Sequence, residues 1–141
     1  MKDITKLENI QRAFTKFACL RCSIPFTSYK DRLIKLNLKT LEYRRAVFDL
    51  IILFKIVNGQ SNLKFSDYFV TRMSPYHLRG GSSRIDSIAQ FKTNQFQKSF
   101  FSRVPSLWNT LPNDITSQTD INAFKHKLNQ FDLNTIHKFV F

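Results

Sequence analysis

Apolar residues are densest along residues 40–59, TLEYRRAVFDLIILFKIVNG. Between residues 46 and 57 only Asp49 and Lys55 are not apolar, so we predict a helix that is buried on most of its sides. Thr40 is suited to cap its first turn, and Gly59 to supply the left-handed residue that ends it. The pattern therefore predicts a buried central helix over about 40–58, around which the rest of the chain packs.

The segment before it has a helical pattern with two different faces. Its apolar positions are three or four residues apart, which predicts one face that packs on the core; they are Ile4, Leu7, Ile10, Phe14 and Phe17. The opposite face is basic and polar, with Lys2, Lys6, Asn9, Arg12 and Lys16. Such a face either follows a phosphate backbone or is the ordinary solvated side of a surface helix, and both interpretations stay open.

Shorter elements follow the same reasoning. Pro25 predicts a turn at residues 23–26, followed by a short helix over 29–36 that Thr27 or Ser28 caps. A last helix is predicted after Thr119 or Asp120, because the residues that follow share one apolar face. These residues are Ile121, Phe124, Leu128 and Phe131.

Residues 60–84 differ in composition, with glycine, serine and Pro75, and we predict a long, flexible basic loop. Partial alternation over residues 84–93 permits one short strand or hairpin. Helical spacing returns from Phe96 to Trp108, where Pro105 either kinks that helix or starts a new one. Trp108 is predicted to anchor this segment in the core.

We therefore predict a mainly α protein, a single helical domain over 1–141 with about five helices around the central one. The predicted core residues are Phe14, Leu50, Leu53, Phe54, Phe100, Trp108, Phe124 and Leu128.

Charge narrows the choice of partners. Twenty-two Lys and Arg against 10 Asp and Glu give a net charge of +12, which favours a polyanionic partner. The basic residues are spread along the whole chain, and neither a membrane span nor a secretory signal is present in the sequence, which favours RNA, DNA or an RNA–DNA hybrid over a membrane. We expect an intracellular protein of the nucleus or cytoplasm. The residues predicted to contact nucleic acid are Arg12, Lys16, Arg44, Arg45, Arg72, Arg79 and Arg84.

Catalytic chemistry is not indicated. The ten acids are isolated along the chain, and no glycine-rich phosphate loop or paired nucleophile and base is recognisable. Asp49 is predicted to be buried as an ion-pair or capping partner of a nearby arginine and not as a general base. Cys19 and Cys22 lack the second pair of ligands that a zinc site needs, and two reduced thiols are preferred over a metal site. We predict no catalytic residue, no metal and no cofactor for this chain.

Three blocks of residues follow one another along the chain. The first is Leu7-Glu8-x-Ile10-Gln11-Arg12-x-Phe14-Thr15-Lys16. The second is Tyr29-x-x-Arg32-Leu33-x-x-Leu36-x-Leu38-x-Thr40-Leu41-Glu42-x-Arg44-Arg45, followed by Asp49-Leu50 and Lys55-Ile56-x-Asn58-Gly59. The third is Ser99-Phe100-Phe101-x-Arg103, Leu107-Trp108-Asn109-x-Leu111-Pro112 and Phe124-Lys125-x-x-Leu128. In this order, the blocks resemble the region after the polymerase core of non-LTR (LINE-type, jockey-like) retrotransposon reverse transcriptases.

The resemblance implies the thumb-proximal and C-terminal portion of an RNA-directed DNA polymerase. The family's metal-binding aspartates lie upstream in a Tyr-Ala-Asp-Asp type motif, which this sequence lacks, so Mg²⁺ would belong only to the parent polymerase core. Two hypotheses follow. The first is a non-catalytic fragment that binds nucleic acid through phosphate contacts. The alternative is a docking or scaffold segment for the rest of the reverse transcriptase, or a degenerate relic of the element. A missing neighbour would then leave the apolar face of the first helix exposed.

Overall fold

The computed structural model describes residues 2–72, 84–88, 93 and 98–133. These residues form a mainly helical protein with one two-stranded antiparallel hairpin, which confirms the predicted fold class. The helices are α1 (Lys2–Arg21), α2 (Tyr29–Lys35), α3 (Leu41–Val57), α4 (Phe100–Trp108), α5 (Asn113–Thr116) and α6 (Ile121–Gln130). A 3-10 turn (Phe65–Asp67) precedes the strands β1 (Phe69–Arg72) and β2 (Arg84–Ser87).

The central helix α3 begins and ends where the sequence predicts. The hydroxyl of Thr40 accepts a hydrogen bond from the backbone N–H of Tyr43 at 3.2 Å. At the other end Gly59 has a φ of +65°, and the N–H of Gln60 donates to the carbonyl of Lys55 at 2.7 Å. These contacts satisfy backbone groups that a helix end leaves unpaired.

The described chain divides into two compact units. The first unit takes in the described residues up to Arg45, and the second begins at Ala46. The boundary falls inside α3.

In the first unit, α1 turns its polar side inward, which corrects the prediction for its faces. Glu8 is 1% exposed and Thr15 is fully buried, whereas Phe14 is 65% exposed and lies outside the core. The physical reason is that α2 and the backbone at the start of α3 offer polar partners to this side of α1. Glu8 accepts hydrogen bonds from the Tyr29 hydroxyl and from the Leu41 N–H.

The second unit contains an apolar core of stacked rings. Phe54 and Phe124 lie with their centroids 4.3 Å apart, and Trp108 stacks on Phe124 with a centroid distance of 5.9 Å. Leu50 and Leu53 of α3 are fully buried, and Leu128 is 1% exposed. The predicted core residue Phe100 is only half-buried, so it borders the core and is not part of its centre.

The hairpin shows that the predicted loop over 60–84 is wrong where β1 forms. β1 lies inside that range, and it provides the partner that the predicted strand near residue 84 lacked. In the register, Phe69 faces Ser87 and Arg72 faces Arg84. Phe69 is 1% exposed, while Tyr68 stacks on Phe101 of α4 at 4.5 Å. The rest of the predicted loop, 73–83, lies outside the described residues.

Pro105 lies inside α4, which continues through it to Trp108, so a new helix does not begin there. The proline is buried with the core face of this helix. After α4, the short helix α5 was not predicted. The last helix, α6, is capped as predicted, because the Asp120 carboxylate accepts from the Ala123 N–H at 2.8 Å. Across the described part of the chain, no helix is both long and apolar enough to span a membrane.

Candidate nucleic-acid interface

A groove runs between the hairpin and α4 in the second unit, with a volume of about 640 Å³. The hairpin contributes charged side chains to it, from Arg72, Arg84 and Asp86, while α4 and the turn after it contribute hydroxyl groups, from Ser102, Ser106 and Thr110. Cationic and hydroxyl donors together suit an anionic ligand with many oxygen acceptors, such as a nucleic-acid backbone.

The strand register places the two groove arginines opposite each other. Arg72 and Arg84 are direct partners across the antiparallel pair, and side chains of direct partners lie on the same face of a sheet. Asp86 is two residues from Arg84, so it shares that face, and one of its oxygens lies 2.8 Å from Arg72 Nε. Arg84 makes no ion pair with any described residue. The groove therefore carries two cations against one carboxylate.

The hydroxyl row follows from the amphipathic pattern of α4. Ser102, Ser106 and Thr110 are four residues apart, a spacing that lines up side chains along one side of a helical segment. The opposite side carries Val104 and Trp108, which are buried in the core. The core therefore orients α4 so that its hydroxyl row lines the groove.

Asn109 attaches the hairpin to the end of α4. Its Nδ2 donates to the carbonyl of Ile85 at 2.8 Å, and its Oδ1 accepts from the N–H of the same residue at 2.9 Å. The side-chain amide thus pairs with β2 as a neighbouring strand would. This double hydrogen bond holds the wall of the groove that carries Arg84.

Ser87, the last residue of β2, has a polar atom without a partner. Its Oγ is buried and makes no hydrogen bond within the described part of the chain. Buried polar atoms in folded proteins nearly always have a partner, including ligands and water.

In the first unit, Arg12 serves an internal role. Its guanidinium lies 5.0 Å from the centre of the Tyr29 ring, and its backbone carbonyl accepts from Arg32 at 3.4 Å. Arg12 is half-buried, whereas Lys16 is exposed. Of these two predicted contacts on α1, only Lys16 has its side chain largely in solvent.

The remaining predicted contacts are Arg44, Arg45 and Arg79. Arg44 and Arg45 are both exposed near the start of α3. Arg79 lies outside the described residues. Of the seven predicted contact residues, Arg72 and Arg84 are the two that the structure brings together in one groove.

A polar network around Tyr29 holds α1 against α2. The Tyr29 hydroxyl donates to Glu8 and accepts from the Gln11 amide at 3.0 Å, which also donates to the carbonyl of Lys39 at 3.0 Å. Burial, followed by the hydrogen bond to Glu8, raises the pKa of Tyr29 to about 12. Tyr29 is therefore a neutral donor at ordinary pH.

Asp31, near the start of α2, accepts hydrogen bonds that stabilise its charge. The backbone N–H of Thr27 donates to its carboxylate at 3.0 Å, and this bond, followed by the contact with Lys35, lowers the pKa of Asp31. Its carboxylate therefore favours the ionised state that supports the first turn of the helix.

Metal-ligating side chains do not gather in the described ranges, which hold no group of three His, Cys, Asp or Glu suited to a metal ion. Cys19 is buried and Cys22 is exposed, and both are free thiols.

Sequence reasoning missed the hydroxyl row and Asn109. The hydroxyl row could have been predicted from the sequence, because Ser102, Ser106 and Thr110 are spaced by four residues opposite the core positions. The role of Asn109 could not be predicted, because its side chain pairs with a strand 24 residues away and leaves no local pattern in the sequence.

Comparison of the chain with protein-family models, with curated proteins and with solved structures gives no match. The resemblance to retrotransposon reverse transcriptases therefore stays a prediction from the ordered sequence blocks.

Proposed function

We propose that this chain is a nucleic-acid-binding module that holds RNA, DNA or an RNA–DNA hybrid through phosphate contacts and performs no chemistry of its own. The groove between the hairpin and α4 is its contact site. Arg72 and Arg84 bind phosphate, and the hydroxyls of Ser102, Ser106 and Thr110 donate further hydrogen bonds to backbone oxygens.

The facing pair Arg72 and Arg84 carries this proposal. Like charges directly opposite each other in an antiparallel pair destabilise the sheet, and Asp86 neutralises only one of the two. A phosphate between the guanidinium groups would remove the repulsion and add charge-assisted hydrogen bonds. The net charge of +12 supports the same partner, because a strongly basic protein attracts a polyanion over long range.

The ordered sequence blocks support a more specific context for the module. It would follow the polymerase core of a non-LTR retrotransposon reverse transcriptase, with the rest of that protein as a second partner. The upstream core would hold the Mg²⁺ ions and carry out polymerisation. Contacts to phosphate position a duplex without reading its sequence, which suits a polymerase that copies many sequences.

Binding of the purified chain to RNA, duplex DNA and an RNA–DNA hybrid, followed across salt from roughly 50 to 200 mM, tests the proposal. Arg72→Gln with Arg84→Gln should weaken binding and reduce the slope of log K against log salt by about 1.8 for duplex DNA, which is about 0.9 for each phosphate that the variant no longer neutralises.

Lys55→Gln with Lys125→Gln is the matched control. Both lysines are exposed in the second unit and outside the groove, so this variant removes the same charge elsewhere. Equal changes in slope for the two double variants would mean that net charge alone attracts nucleic acid. A folded wild-type chain that binds none of the three probes would refute the proposal.

A further inference from the structure

The helix α1 exposes a row of large apolar side chains on one side of the first unit. Leu7, Ile10, Phe14 and Phe17 are between 58% and 66% exposed, and Leu20, beside the end of this row, is 62% exposed. The first four follow one another at spacings of three, four and three residues, which is the spacing of a coiled-coil seam. We call these five residues the α1 seam.

Rotation of α1 cannot bury the α1 seam without breaking the polar contacts on its other side. Gln11 donates to Tyr29 and to the carbonyl of Lys39, and the hydroxyl of Thr15 accepts from Arg32 Nε at 3.3 Å. Glu8, which the Leu41 N–H contacts at 2.9 Å, is 1% exposed. Buried polar groups deprived of these partners would be strongly unfavourable. The first unit therefore holds the α1 seam outward.

The size of the α1 seam suits a narrow partner. At roughly 100 Å² of exposed surface for each side chain, the five present on the order of 500 Å², the upper range for the largest apolar patch of an ordinary monomer. A stable interface between globular proteins buries about 800 Å² on each side. One docked helix, which needs only a single row of apolar contacts, matches this area better.

Residues beside the α1 seam indicate which side chains the docked helix should carry. Ala13 and Ala18 flank the row with small side chains, which let a second helix approach closely. Among the described side chains of α1, the exposed charges near the row are Lys6 and Arg21 against Asp3, and Lys16 lies beside Leu20. A partner with acidic residues beside its own apolar row would be complementary, whereas a second copy of this chain, at +12, would meet like charge.

A membrane surface fits less well. A helix that lies on a lipid surface has a broad apolar face and turns its opposite, charged face toward water. The opposite side of α1 is buried against polar groups of α2, and its apolar row is narrow.

We propose that the α1 seam docks an amphipathic helix whose apolar residues repeat every three or four positions and are flanked by aspartate or glutamate. This interaction surface lies in the first unit and does not depend on the nucleic-acid groove of the second.

Designed peptides of about 21 residues, three heptads long, test this inference with the full chain. The first peptide carries leucine at the seam positions and glutamate beside them. The second has lysine in place of glutamate, and the third has the composition of the first in an order that makes no apolar row. Fluorescence anisotropy at about 150 mM salt should show saturable binding of the first peptide, about tenfold tighter than that of either other peptide.

Variants locate the binding surface. The double variant Phe14→Gln, Phe17→Gln should bind the first peptide at least about tenfold more weakly than the wild-type chain does. Its unfolding midpoint should be unchanged. Phe48→Gln is the matched control, because Phe48 is 59% exposed but lies on α3, and it should leave binding unchanged. Equal binding of the ordered and rearranged acidic peptides, or no effect of the Phe14 and Phe17 changes, would overturn the proposal.

Evidence for either of two other occupants of the α1 seam would also overturn the proposal. Sedimentation of the wild-type chain as a dimer that the Phe14→Gln, Phe17→Gln variant converts to a monomer would assign the α1 seam to a second copy. Binding to phosphatidylserine vesicles that the same variant abolishes, without binding of the acidic peptide, would assign it to a membrane surface.

Discussion

Arg103 holds the carboxylate of Asp49 across 54 residues of chain, with its Nε 2.9 Å and its Nη2 2.5 Å from the same oxygen. Asp49 is 7% exposed, on the otherwise apolar helix α3. The sequence predicted that Asp49 is buried as an ion-pair or capping partner of an arginine, and the structure shows the ion pair. It also identifies the arginine, a residue of α4.

Arg103→Met should cost about 3 kcal/mol of the free energy of unfolding, because it leaves the buried carboxylate of Asp49 without its partner. The double variant Asp49→Leu, Arg103→Met should recover most of this loss, because no charge then remains to be desolvated. Urea unfolding at pH 7 measures both. Lys127→Met, which removes an exposed ion pair with Asp114, should cost less than about 1 kcal/mol. Similar losses for Lys127→Met and Arg103→Met would contradict this account.

Tyr29→Phe should destabilise the first unit by about 1 to 3 kcal/mol at pH 7, because Glu8 and Gln11 each lose a hydrogen-bond partner while partly or fully buried. Circular dichroism during urea unfolding measures the loss. Lys6 of α1, in the same unit, is exposed, and Lys6→Gln serves as the control with an expected change within about 0.5 kcal/mol.

The same tyrosine predicts a loss of stability at high pH. Its pKa is raised from 10.0 to about 12 in the folded chain, so the unfolded chain releases this proton at lower pH than the folded chain does. The contribution is fully present below about pH 10 and is lost between about pH 10 and 12. The wild-type chain should therefore lose more stability than Tyr29→Phe between pH 9.5 and 11, in paired urea titrations at about these values. If the free energy of unfolding changed equally with pH in the two chains, Tyr29 would have the same pKa in the folded and unfolded states.

Asn109→Ala should release β2 from the end of α4, because the N–H and carbonyl of Ile85 both lose their partner. We expect a cost of about 2 kcal/mol and faster hydrogen exchange at the Ile85 amide. Asn122→Ala, an exposed position on α6, should change stability by less than about 0.5 kcal/mol. Unchanged exchange at Ile85 in Asn109→Ala would mean that β1 alone holds the strand.

Trp108→Ala and Phe14→Ala separate two positions that the sequence assigned equally to the core. Trp108 is 5% exposed and stacks on Phe124, so its truncation should cost about 3 to 5 kcal/mol. Phe14→Ala should cost less than about 1 kcal/mol, because that ring is mostly in solvent. Thermal or urea unfolding compares them, and a large loss at Phe14 would show that its ring is buried.

Local patterns in the sequence determined the positions of all the helices except the short helix α5. Ser28, Thr40 and Asp120 each accept a hydrogen bond from a backbone N–H three residues later, as capping residues do. Such contacts need only a few neighbouring residues, so sequence spacing is enough to predict them. The long apolar run of α3 predicted burial on most sides of that helix, which is only partly right. Leu50, Leu53 and Phe54 are fully buried, whereas Phe48 and Ile52 on α3 are 59% and 45% exposed.

Only the tertiary structure decided which side of α1 is buried, which segment pairs with β2, and that Asn109 joins the hairpin to α4. Each depends on partners distant in the chain: Tyr29 and Leu41 reach Glu8, and Arg72 meets Arg84 across the register. The sequence by itself determined the longer helices, the caps of α2, α3 and α6, and the excess of positive charge, because these follow from neighbouring residues and from composition. The inward polar face of α1 and the groove with two facing arginines arise from contacts between distant segments, which periodicity does not specify.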